Sequence, residues 1–65
     1  GETMFQACIY MEQDHFPSLV ISAKTLTEVL DTLDLFYDIK YSSIRLEEHG
    51  QPCLIKYPGL NWATI

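Results

Sequence analysis

One segment, residues 25–38, constrains the fold most, because its apolar residues recur at the spacing of an α-helix. At about 100° per residue, this spacing gathers the apolar side chains into an arc of roughly 120°. They are Leu26, Val29, Leu30, Leu33, Phe36 and Tyr37. Thr25 and Glu28 have the form of a capping box, in which the Thr hydroxyl accepts from the backbone N–H three residues on. The sequence therefore predicts a helix that begins near Thr25 and buries one face.

The opposite side of this predicted helix is acidic, and no Lys or Arg occurs within residues 25–38. Leu35 points into the same side unless the last turn unwinds before it. We call these residues the acidic stripe: Glu28, Asp31, Asp34, Leu35 and Asp38. The stripe is a candidate binding surface for a protein partner, which would be basic.

Length and composition indicate one small domain over residues 1–65, with residues 1–3 a tag remnant or disordered. Hydrophobic residues make up 48 % of the chain and charged residues 20 %, which is typical of a folded domain. A chain of this size buries only about 60 % of its extended surface, so a partner or a second copy would add stability. The net charge of −5 argues against direct binding to nucleic acid or to an anionic membrane. No apolar run approaches the ~18 residues of a membrane span.

The two cysteines, Cys8 and Cys53, are too few for a disulfide framework and lie in apolar runs, so they indicate buried free thiols. This composition favours an intracellular, reducing compartment, either the cytoplasm or the nucleus. Together with His15 and His49 the cysteines lack the paired short spacing of a zinc site. We predict no metal and no cofactor.

Alternating polarity predicts strands over residues 4–11 and 19–22, before the helix. After it, Ser43–Glu48 and residues 51–57 form a predicted hairpin, followed by a possible last strand within residues 60–65. The predicted class is α+β in the order β-β-α-β-β(-β), with one helix packed on a four- or five-stranded mixed sheet.

The hairpin turn is predicted at His49-Gly50, where Gly supplies a positive φ. In that register Glu48 lies opposite Gln51. Two further pairs follow, Leu46 with Cys53 and Ile44 with Ile55, so that one face holds Ile44, Leu46, Cys53, Ile55 and Tyr57.

The second face of the sheet is predicted to carry a surplus of apolar residues, namely Met4, Cys8, Tyr10, Val20 and Leu54. A second copy or a partner would cover it, or would pair with an edge strand near Tyr10 or Trp62. We therefore add Tyr10 and Trp62 to the candidate contact residues.

No catalytic motif is present: the sequence has no Gly-rich phosphate loop, nucleophile elbow, His-Glu-x-x-His or Cys-x-x-Cys. Glu47 and Glu48 are adjacent on a strand and point to opposite faces, so they cannot act together on one bond. No motif places an acid or a nucleophile beside His15, which is interpreted as a solvated loop residue. The chain is therefore predicted not to be an enzyme.

Two family resemblances accompany this interpretation. The β-β-α-β-β order on a short chain resembles a β-grasp (ubiquitin-like) module, which implies parallel first and last strands at the sheet centre and a role in association. Residues 19–65 are similar to the closing β-α-β-β-β repeat of PCNA- and checkpoint-type sliding clamps. That similarity rests on residues 19–21, Ala23-Lys24 and the run SIRLEEHGQPCLIKY, with Gly50, Pro52, Ile55 and Tyr57.

These observations favour a non-enzymatic protein–protein interaction or assembly module that self-associates or joins a larger complex. The alternative is a small acidic regulatory inhibitor or antitoxin-like protein, which would use the acidic stripe against a basic site. A third possibility, implied by the clamp resemblance, is a fragment of a DNA repair or replication protein.

Overall fold

The computed structural model describes residues 4–12, 15–36 and 38–65, which form an α+β domain. Tyr37 and the predicted tag remnant at residues 1–3 lie outside the described residues. The elements in chain order are β1 (Phe5–Tyr10), β2 (Leu19–Ala23), α1 (Leu26–Asp34), β3 (Ser43–Glu48), β4 (Gln51–Lys56) and β5 (Ala63–Thr64). No helix in the described part of the chain is long and apolar enough to cross a membrane.

The five strands form one sheet in the order β2-β1-β3-β4-β5, and every neighbouring pair is antiparallel. The prediction of a mixed sheet is therefore wrong. The crossover through α1 does return β3 in the direction of β2, but β1 lies between them and is antiparallel to both. The first and last strands also do not pair, because β5 lies at an edge beside β4.

The core lies between α1 and one face of the sheet. Ala7 and Ile9 on β1 lie opposite Leu46 and Ile44 on β3, and all four are buried. Val29, in the middle of α1, is fully buried against this cluster. The apolar face predicted for the first strand and the apolar face predicted for the helix thus pack together in one core.

The helix begins as predicted and ends early. The Thr25 hydroxyl accepts from the Glu28 N–H at 3.2 Å, as the capping pattern requires. The helix ends at Asp34, after which the N–H of Phe36 donates to the Leu33 carbonyl in a tighter three-residue turn. No basic residue lies in the last turn, where the helix dipole is negative, so the acidic end favours termination. Phe36, predicted to be buried, is exposed.

The predicted hairpin turn is confirmed, but the predicted register holds for only part of the hairpin. His49 and Gly50 have φ values of 53° and 78°, and Glu48 lies opposite Gln51. Between Glu47 and Leu46 the register shifts by one residue, so that Cys53 is extra on β4.

Beyond this bulge, the predicted pairs of Leu46 with Cys53 and of Ile44 with Ile55 are wrong. Leu46 lies opposite Leu54 and Ile44 opposite Lys56. The Cys53 thiol donates to the Leu46 carbonyl at 3.4 Å. Leu54 consequently faces the core, and Ile55 takes its place on the second face.

Candidate functional site

The sheet face opposite α1 is not covered by any element in the described part of the chain. Directly opposed residues of neighbouring strands share a face, so the register identifies its side chains. One row runs across the sheet through Val20, Cys8, Arg45, Ile55 and Ala63. We call this surface the open face; it comprises that row with Gln6, Tyr10, Ser22, Ser43, Glu47 and Tyr57. Val20 is 45 % exposed and Tyr57 48 % exposed, whereas Cys8, which lies between Val20 and Arg45, is buried; the surface is partly apolar.

A polar depression of about 380 Å³ lies at one end of the open face. It is lined by Tyr10, Glu12, His15, Ser42, Ser43, Arg45 and Tyr57. Arg45 is the only arginine in the chain, and its guanidinium carbon lies 5.8 Å from the centroid of the Tyr10 ring. This distance is within the range of a cation–π contact. The depression therefore places one permanent cation between aromatic and hydroxyl groups.

The rim of the polar depression is fixed by the residue that begins the turn into β3. The backbone N–H of Ser42 donates to the Tyr10 carbonyl at 2.8 Å, and its hydroxyl donates to the same oxygen at 3.0 Å. The Glu12 carbonyl is a second acceptor for the same hydroxyl proton, and Glu12 has a φ of 57°. Because this hydroxyl is used to hold the backbone, it is not poised as a nucleophile.

His15 and Glu12 both line the polar depression, which brings a histidine and an acid to one place. The hydrogen bonds found within the described ranges do not join His15 to Glu12 or to a serine hydroxyl. A general base would have to reach its nucleophile or its orienting acid by such a bond. The histidine is exposed, in agreement with its interpretation as a solvated loop residue.

All members of the acidic stripe are exposed, and Leu35 is 75 % exposed. Glu28, Asp31 and Leu35 follow the spacing i, i+3, i+7, which keeps them on one side of the helix. Asp34 lies further round, where it lines an apolar cavity beside Leu33. Asp38 lies beyond the end of α1, so the helical period no longer groups it with the others.

The other two predicted contact residues lie beside the edge strands rather than on them. Tyr10 ends β1, which pairs with the edge strand β2 on one side and with β3 on the other. Trp62 precedes the edge strand β5, but its side chain is half-buried and packs against the core. It lines an apolar cavity of about 200 Å³ together with Ile9 and Ile44. The two edges are β2 and β5.

Both cysteines are free. Burial raises the pKa of the Cys8 thiol, the Glu47 carboxylate raises it further, and the Arg45 guanidinium opposes them. A thiol with a raised pKa stays protonated at neutral pH and is a poor nucleophile. No group of three or more His, Cys, Asp or Glu that could hold a metal ion occurs among residues 4–12, 15–36 and 38–65.

The comparisons of this chain with protein families, with curated proteins and with solved structures found no match.

Proposed function

We propose that the chain is a non-enzymatic protein–protein interaction and assembly module that self-associates or joins a larger complex. The observation that carries the proposal is the open face, on which Val20 and Tyr57 are about half exposed. A one-helix, two-layer domain buries only one side of its sheet, so a partner gains apolar burial on the other.

The edge strand β2 supports the same proposal. Its sequence, LVISA, carries no charge and no Pro, and its register with β1 has no bulge. Charged residues, prolines and β-bulges are the features that protect exposed strand edges from pairing. A strand without them can pair with another chain. Val20 belongs to both the edge strand and the open face, so one contact with a second copy would cover both.

Two further features fit this role. The Ser42 hydroxyl is engaged with backbone carbonyls, and the buried Cys8 thiol is protonated, so neither group is activated for catalysis. The free thiols Cys8 and Cys53 fit a reducing, intracellular compartment.

We expect the mass of the chain in solution to rise with concentration, and the substitution Val20→Lys to abolish this rise. A lysine at Val20, the second residue of the edge strand, would lose its hydrating water in the contact, and that loss opposes association. The matched control is Thr27→Lys, which adds the same charge at an exposed position of α1. Sedimentation equilibrium at two concentrations roughly a hundredfold apart measures the effect. A single-chain mass throughout, or equal losses in both variants, would contradict self-association through β2.

The exposure of Leu35 within the acidic stripe favours a second candidate function. In this function the chain is an acidic regulatory inhibitor, antitoxin-like, that binds a basic site on another protein. An exposed leucine among carboxylates supplies an apolar anchor in a charged rim, which is the arrangement of many interfaces.

The acidic stripe can be tested with a lysine-rich peptide as the basic probe. We expect the triple variant Glu28→Lys, Asp31→Lys, Asp34→Lys to lose most of its binding, and the wild type to lose affinity as salt rises. The control triple, Glu12→Lys, Glu47→Lys, Glu48→Lys, changes the net charge by the same amount elsewhere on the surface. Isothermal calorimetry gives both affinities, and equal losses in the two triples would remove the stripe from consideration.

A further inference from the structure

The polar depression contains a cation whose hydrogen bonds are incomplete. The Nε atom of Arg45 is sealed from solvent and has no hydrogen-bond partner within the described part of the chain. A buried N–H without an acceptor costs about 1–3 kcal/mol, so such groups are rare. Lys56, by contrast, donates to the Leu60 carbonyl at 2.7 Å and lies over the Tyr41 ring. Among residues 4–12, 15–36 and 38–65, Arg45 Nε is the buried side-chain nitrogen or oxygen without a hydrogen-bond partner.

The setting of Arg45 restricts how a ligand can bind it. Arg45 lines the depression while its Nε is buried, so a ligand there would bind through the terminal Nη groups and would leave Nε without a partner. The Nη groups form a planar fork that matches the two oxygens of a carboxylate. The guanidinium carbon lies 5.8 Å from the Tyr10 ring centroid, and this contact restricts where the guanidinium can lie. A fixed fork binds an oxyanion at a smaller entropic cost than a mobile side chain.

Charge decides which oxyanion fits. Glu12 is one of the residues that line the polar depression, and the whole chain carries a net charge of −5. A phosphate group at neutral pH carries about −1.5 to −2 charges, whereas a carboxylate carries only one, so repulsion is smaller for the carboxylate. The rings of Tyr10 and Tyr57 add apolar walls on the same side of the sheet, and Ser43 adds a hydroxyl.

We propose that the polar depression is a binding site for a carboxylate group, with the Arg45 Nη fork as its ion partner and the Tyr10 and Tyr57 rings packed against the carbon skeleton that carries it. A single chain contains every residue that lines the site, but these residues belong to the open face, so a second copy that covered Tyr57 would close the site. The ligand class is a small monocarboxylate with an aromatic or branched apolar part.

The Arg45 Nε–Hε resonance provides a direct readout, since the chain has no other arginine. In ¹⁵N-labelled protein at constant ionic strength, acetate and phenylacetate should each shift it along a saturable curve. Phenylacetate should bind roughly three- to tenfold more tightly than acetate, because its ring packs on the tyrosines. Inorganic phosphate should bind more weakly than acetate.

Variants separate this site from non-specific anion binding. Arg45→Gln should abolish the saturable shifts at the backbone amides of Ser43 and Tyr57, and Arg45→Lys should weaken binding roughly tenfold, since it keeps the charge but loses the fork. Lys40→Gln, which removes an exposed cation elsewhere, should leave binding unchanged. If Arg45→Gln does not fold, the affinity of Arg45→Lys alone tests the proposal. A non-saturable shift, tighter binding of phosphate, or unchanged affinity in Arg45→Lys would overturn the proposal.

Discussion

Replacement of Leu46 by alanine is expected to lower the free energy of unfolding by about 3 kcal/mol, within the roughly 2–5 kcal/mol seen for buried leucines. Leu46 is 1 % exposed and lies on β3 between Ala7 on β1 and Leu54 on β4. The small neighbour Ala7 cannot move far enough to fill the cavity. Since small domains hold roughly 0.05–0.15 kcal/mol of stability per residue, this loss removes a large share of the total.

Urea unfolding followed by circular dichroism measures this loss. The control is Leu60→Ala, the same chemical change at a residue that is 62 % exposed. It should change the free energy of unfolding by less than about 0.5 kcal/mol, as is usual for surface positions. A loss of similar size in both variants would mean that the core does not centre on β3.

The helix was predictable from the sequence at its beginning and less so at its end. The Thr25 cap is a local interaction between a side chain and an N–H three residues on, so the sequence pattern alone identifies it. The end is decided by competition between a weak preference for continuing the helix and the unfavourable acidic terminus. Because the apolar residue Phe36 fits the helical spacing, the sequence pattern predicted a helix beyond Asp34. In the structure the backbone already turns more tightly there.

The register of the hairpin could be predicted only as far as Glu47. The turn at His49-Gly50 is fixed by backbone preference, and it sets the first pairs on either side. Beyond Pro52 three apolar residues follow one another, Cys53, Leu54 and Ile55, so a period of two does not choose between the two faces. The bulge at Cys53 makes that choice, and only the sheet contacts reveal it.

The polar depression was not predictable, because its walls come from segments far apart in sequence. Tyr10 and Arg45 meet only because the chain inserts β1 between β2 and β3. The sequence pattern predicted pairing at an edge near Tyr10, and an insertion of this kind has no local signal. The alternation of apolar residues along residues 43–48 did, however, predict that Arg45 lies on the strand face opposite to Ile44 and Leu46.

Replacement of Trp62 by alanine is expected to lower the free energy of unfolding by about 2 kcal/mol, less than the roughly 3–5 kcal/mol of a fully buried tryptophan. The reason is packing: Trp62 is half-buried and lies against the core beside Ile9 and Ile44. As a partner-binding residue, Trp62 would instead affect association and leave stability almost unchanged. We expect the dissociation constant of self-association, measured under native conditions, to change less than twofold.

The exposed aromatic Phe16 supplies the matched control, since Phe16→Ala removes a ring that contributes little to burial. Circular dichroism follows unfolding of both variants, because Trp62→Ala has no tryptophan left to report by fluorescence. Weakened association with unchanged stability in Trp62→Ala would return this residue to the binding surface. The interface would then run along β5, because Trp62 directly precedes that strand, and the edge at β2 would lose its place as the point of contact.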